Sequence, residues 1–191
     1  MNFLAHLYLA DNTPDSIIGN MLGDFVGMDF RETYNAEICR GIIQHRKIDR
    51  FTDSHPIFLQ SKKRISNDYR LLKGVMVDIF YDHYLAKNWP DYSEVTLEEF
   101  CSYVYDIFLD YRPNLPPRLQ SMIPIMVAEN WLLSYREVEG IASVLNGMSR
   151  RISRKNNLAN GAEELLKHYR EFENDFKTFF PKLIAYVNSL E

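Results

Sequence analysis

From Leu165 to Val187 the apolar residues Leu165, Tyr169, Phe172, Phe176, Phe179, Leu183 and Val187 recur at steps of three and four. Only a helix sets such positions on one side, so this stretch must bury one stripe and wet the other. The same period runs through most of the chain, and alternating strand patterns are missing. Even the apolar stretch Ser121 to Val127 reads more easily as helix than as strand. The expected fold class is therefore all-α: a single compact multi-helix domain covering residues 1–191, with roughly seven to nine helices.

Local signals place some helix ends. Thr13-Pro14 puts a capping residue before a proline at the first helical position, and Thr96 to Glu99 reads as a capping box. Asn146-Gly147 is the expected stop of a helix holding Ile141 and Leu145, and the Leu165–Val187 stripe is expected to lie on one long helix. Loops are marked by Trp89-Pro90-Asp91, by Arg112 to Pro117 and by the polar stretch Ser149 to Gly161.

With 191 residues, 46% of them hydrophobic, one substantial core can form without a second domain. The net charge of −4 argues against a general nucleic-acid binder. Cys39 and Cys101 show neither metal-type spacing nor a disulfide framework, which suits a reducing compartment. The opening MNFLAHLYLA lacks a basic n-region and runs at once into Asp11, unlike a signal peptide. No run approaches the roughly 18–20 apolar residues of a membrane span. A soluble, cytoplasmic protein without a membrane partner is expected, and nothing in the pattern indicates an oligomeric state.

Chemistry enters where the apolar stripes run into polar residues. If residues 37–53 are helical, Ile38, Ile42, His45 and Asp49 share one face, with Arg46, Lys47 and Arg50 on its flanks. The next helix, about residues 73–87, places Val75, Asp78, Ile79, Asp82, His83 and Ala86 on a broad face. Phe3, His6, Leu7 and Ala10 repeat the device, and Asp24 follows Gly23, where backbone can approach a ligand closely. Buried carboxylates are costly unless paired or coordinating a metal. Like charges at Asp78 and Asp82, four residues apart, need a cation beside them. Blander roles stay open: Asp49 pairing with Arg46 or Arg50, and Asp53 or Ser54 capping a helix near Pro56. His55 and His168 read as structural or solvated. Imidazole with carboxylate and no thiolate suits Mn²⁺, Fe²⁺ or Zn²⁺ at a site that activates water against a phosphate ester.

Several of these segments occur together in one known family. MNFLAHLYLA, GNMLGDF (residues 19–25), HRKIDRFTDSHP (45–56), the 78–89 segment DIFYDHYLAKNW and VLNGMSRR (144–151) resemble the acyl carrier protein phosphodiesterases, also called acyl carrier protein hydrolases. The resemblance runs in order along nearly the whole chain. It implies a divergent relative of the all-α His-Asp metal phosphohydrolases. The implied reaction is hydrolysis of the phosphodiester between 4′-phosphopantetheine and a serine of holo-acyl carrier protein, an acidic protein, with Mn²⁺ as the favoured metal. One departure stands out: no His is followed by Asp, and the only adjacent pair is inverted, Asp82-His83.

On that resemblance His6, Asp24, His45 and Asp82 are the expected metal ligands, with Asp49, Asp78 and His83 in catalytic or orienting roles. Arg46 and Arg50 are expected to hold the phosphate oxygens. The basic clusters at Arg46, Lys47, Arg50, Lys62, Lys63 and Arg64, and from Arg150 to Lys155, would form a rim for the carrier protein. The alternatives are a metal-dependent phosphohydrolase acting on a nucleotide or other small phosphodiester, and an interaction module whose buried charges only pair with each other.

Overall fold

Eight consecutive residues, Ile79 to Ala86, are buried, so the helix carrying them must be surrounded on every side. In the computed structural model, which describes residues 1–190, that helix is α6 (Lys73–Lys87). Around it pack α1 (Phe3–Tyr8), α5 (Pro56–Arg64), α10 (Val138–Arg151) and α12 (Tyr169–Asn188). The other helices are α2 (Pro14–Leu22), α3 (Phe30–Thr33), α4 (Ala36–Ser54), α7 (Leu97–Tyr111), α8 (Pro117–Ala128), α9 (Trp131–Ser134) and α11 (Ala162–Lys167). Short 3₁₀ turns link them, and no strand occurs among the described residues. None of these helices is long and apolar enough to cross a membrane.

The expected all-α class is what the structure shows, and the segments read at 37–53 and 73–87 are α4 and α6. Thr13 caps α2, accepting from the Ser16 N–H, and Thr96 forms a complete capping box with Glu99. The helix count is higher than expected, twelve among the described residues. The surplus comes from α1, α3, α9 and α11, four to six residues each, too short to show a period. Two boundaries are corrected. Gly147 does not end its helix: it keeps a negative φ, and α10 runs on until Ile152 turns extended. The Leu165–Val187 stripe is split at His168, where α11 stops and α12 begins. The cap before Pro56 is neither Asp53 nor Ser54 but His55, whose Nδ1 accepts from the Ile57 N–H at 3.2 Å.

One crossing sets the rest. Helices α2 and α4 run the same way along each other: Asn35 at the start of α4 donates to Asp15 at the start of α2, and further on Asn20 donates to Gln44. Between these pairs the backbones touch at Gly19 and Gly41. A Cβ at Gly19 would lie 2.4 Å from the Ile38 carbonyl oxygen, and one at Gly41 would lie 2.8 Å from that of Ser16. Those distances leave no room for any side chain. Gly19→Ala or Gly41→Ala should therefore cost about 1–3 kcal/mol through overpacking. Gly147→Ala, facing open space inside α10, should instead be neutral or stabilising by up to about 1 kcal/mol. Urea denaturation midpoints of the three variants check both expectations.

Candidate metal centre

One helical turn beyond the glycine crossing, α4 presents His45 where α2 ends at Gly23. A Cβ on Gly23 would sit 2.2 Å from the His45 ring, so the imidazole rests directly on glycine backbone. The His45 Nδ1–H donates to the Asn20 carbonyl at 2.7 Å. That carbonyl lies in the last turn of α2, where helix carbonyls lack partners within the helix. With Nδ1 so occupied, Nε2 is turned towards Asp49 Oδ2 at 3.2 Å and Asp24 Oδ1 at 3.4 Å, aligned for a hydrogen bond with neither.

His6 enters from α1. Its ring stacks on that of His45, centroids 3.6 Å apart and 12° from parallel. His6 Nε2 donates towards Asp49 Oδ1 at 3.0 Å and the Met1 carbonyl at 3.2 Å, while its buried Nδ1 has no partner. One ligand-type atom from each of His6, His45 and Asp49 falls within a 4.8 Å cluster. Asp24 closes the outer side, its side chain 67% exposed. Asp78 lies beyond Asp49: the Met1 α-ammonium is 3.1 Å from Asp49 Oδ1 and 3.1 Å from Asp78 Oδ1.

The charges follow from this crowding. Burial, then the neighbouring His45, pushes His6 down to about 3, so it is neutral. Burial also works against a charged His45, yet Asp24 and Asp49 outweigh it and lift that imidazole to about 9. Burial alone would raise Asp49, but both imidazoles and the ammonium hold it well below the usual carboxylate range. Asp78 is raised, mainly by burial, against the pull of the ammonium.

Other expected site residues lie elsewhere. Asp82 is fully buried, and its two oxygens accept from the Leu4 N–H at 2.8 Å and the Ala5 N–H at 3.0 Å. It caps α1 from outside, since Asn2 supplies no side-chain cap. The cluster of His6, His45 and Asp49 does not include it. His83 also lies outside that cluster. Its Nδ1–H donates to the Tyr135 carbonyl and its Nε2 accepts from the Tyr169 hydroxyl, which leaves no free ring nitrogen. Arg46 donates to the carbonyls of Val26 and Gly27 and lies over the Phe30 ring, bracing the loop after Asp24. Asp49 pairs with neither Arg46 nor Arg50, and Arg50 is exposed. The Asn20 carbonyl escaped the sequence reading because a backbone acceptor leaves no mark on residue type. Gly23 was visible, but as room for a ligand rather than for a ring.

Two imidazoles and one or two carboxylates, with Asp24 at an open side, form a mixed nitrogen and oxygen donor set suited to a divalent transition ion. The Nδ1–H bond to a backbone carbonyl is the kind of support that fixes the tautomer of a metal-binding histidine. Fold and cluster thus define an all-α protein with a candidate metal centre between α1, α2 and α4. The family model described as acyl carrier protein phosphodiesterase matches residues 1–183, and the chain belongs to that family. Proteins named acyl carrier protein phosphodiesterase are similar over nearly its whole length. The one from Yersinia pestis is 36% identical over 185 residues, covering 96% of each chain. The one from Escherichia coli O45:K1 is 35% identical over 185 residues, again covering 96% of each. The one from Photorhabdus laumondii is 34% identical, covering 96% of this chain and 93% of its own. No solved structure matches.

Two variants separate cluster from scaffold. Gly23→Ala should displace the His45 ring and weaken divalent-ion binding by about 10- to 100-fold, read by isothermal titration. Asp82→Ala should leave the cluster intact and cost about 1–3 kcal/mol by stranding two buried N–H groups. Burial lifts Asp82 to about 7, against the two N–H bonds that lower it. The folded protein thus favours its protonated form, and this contribution to stability is present below about pH 4 and lost as pH rises through 7. Asp82→Asn should flatten that decline in urea midpoints measured from pH 4 to 8.

Proposed function

We propose that this protein hydrolyses the phosphodiester joining 4′-phosphopantetheine to a serine of holo-acyl carrier protein, releasing apo-carrier and phosphopantetheine. The reading rests on the family and on one observation: buried His45 Nε2, fixed from behind by the Asn20 carbonyl, has no aligned partner among converging carboxylates. His6, His45 and Asp49, with Asp24 at the rim, would hold a divalent ion, Mn²⁺ by preference. Such an ion lowers the pKa of water and neutralises charge developing on phosphoryl oxygens.

The chain's own groups supply the remainder. The Asn20 carbonyl keeps the proton on His45 Nδ1 and so turns Nε2 inward. His6, neutral and stacked on His45, adds a second nitrogen without adding charge. Asp78, 3.1 Å from the Met1 ammonium and raised by burial, would accept a proton from water. Arg46 is held by loop carbonyls, so exposed Arg50 is left from that pair to meet a phosphate oxygen. A holo-carrier substrate fits the cytoplasm, and the buried free thiols of Cys39 and Cys101 fit its reducing conditions.

Incubation of the purified protein with holo-acyl carrier protein and Mn²⁺ should remove the prosthetic group, seen by mass spectrometry as loss of phosphopantetheine. A chelator should abolish the reaction and added Mn²⁺ restore it. Asp49→Ala should lower the rate by at least about 100-fold, with its urea midpoint checked in parallel. An intact holo-carrier after prolonged incubation with metal-loaded protein would overturn the substrate; full activity in the presence of chelator would overturn the metal.

A further inference from the structure

Four arginines are engaged by acceptors of the protein itself. Arg46 holds the Val26 and Gly27 carbonyls, Arg64 pairs with Asp175, Arg112 donates to the Gln120 carbonyl, and Arg136 pairs with Glu98. Arg118, like Arg50, has no carboxylate within 4 Å among the described residues. Instead its guanidinium sits 5.3 Å over the ring of Phe25. Phe25 directly follows Asp24 and stacks on Phe3, centroids 6.5 Å apart, and Phe3 lies one turn before His6 on α1. The Phe3–Phe25 shelf is thus tied by the chain to two residues of the site, His6 and Asp24, and Arg118 rests on it.

The position is built rather than incidental. Arg118 stands in the first turn of α8, behind Pro113, Pro116 and Pro117, and the Arg112 bond to Gln120 ties that loop to the helix. No side chain caps α8, so Arg118 stands at the positive end of that helix. A guanidinium with one face on an aromatic ring keeps its edge donors free for a bidentate carboxylate. The chain as a whole carries −4, so it has no overall attraction for an acidic partner and depends on local positive charge.

We infer that Arg118 is a docking residue that receives a carboxylate of the acidic carrier protein beside its modified serine. This rests on the carrier protein being the substrate. Arg118 leans on Phe25, not on a cluster residue, so its charge stands one side chain outward of the ligands. The reacting phosphate belongs at the ligands; the protein that bears it belongs at the rim.

Arg118→Gln should raise KM for holo-acyl carrier protein by about five- to tenfold and leave kcat within about twofold, as loss of a rim charge does. Arg118→Lys should recover part of the loss, because it keeps the charge without the planar fork. Binding of apo-acyl carrier protein, titrated at 50 and 300 mM salt, should weaken with salt less steeply in Arg118→Gln than in the wild type. Unchanged KM and unchanged carrier binding would overturn the proposal. A fall in kcat with KM intact would do so too, placing Arg118 at the phosphorus. If the wild type releases no prosthetic group, the substrate reading fails, and the binding titration alone judges Arg118: equal affinities, or no binding to the wild type, reject it.

Discussion

The contact between the backbones of α2 and α4 at Gly19 and Gly41 governs the rest of this structure. Helices whose axes approach so closely must be bare at the crossing, and what lies one turn further is placed by it. Here that is Gly23 facing His45. The ring has no room except flat against the end of α2, where a helix-terminal carbonyl awaits a donor. The geometry of the candidate centre thus begins as a packing constraint between two helices and only then becomes chemistry.

Buried polar groups in the chain sort by whether their partners complete them. Asp82 and His83 lie on the buried Ile79–Ala86 stretch of α6, and each has its polar atoms matched by backbone or hydroxyl groups. Satisfied in that way, they stabilise the fold. At the candidate centre the matching is incomplete: His45 Nε2 faces two carboxylates without an aligned partner and His6 Nδ1 has no partner, and the pKa values of His6, His45 and Asp49 diverge. A group left incomplete in the interior is costly unless something else binds there. That difference, rather than the presence of His and Asp as such, separates a site from a core.

Much of this was legible beforehand. The stripes of α4 and α6, the Thr13 cap and the Thr96 capping box are local, set by neighbours a few residues away. The stripe on α4 also led correctly to a face shared by His45 and Asp49, which the structure joins to His6. The cap that Asp82 provides was not legible, because its partners, the N–H groups of Leu4 and Ala5, are 78 and 77 residues distant. Arg118 drew no attention in a proline-rich loop, since nothing local connects it to Phe25.

The sequence by itself determined the helical class, most of the long helices, the family, and the region of the chain that holds the candidate chemistry. Periodicity and motif order are properties of neighbouring residues, and they need no fold to be read. Only the tertiary structure decided which His and Asp side chains meet, which are turned to capping, and which arginine rests on the Phe25 ring. Those outcomes depend on how helices cross, and a crossing made by two glycines twenty-two positions apart becomes visible only when the backbones are brought together.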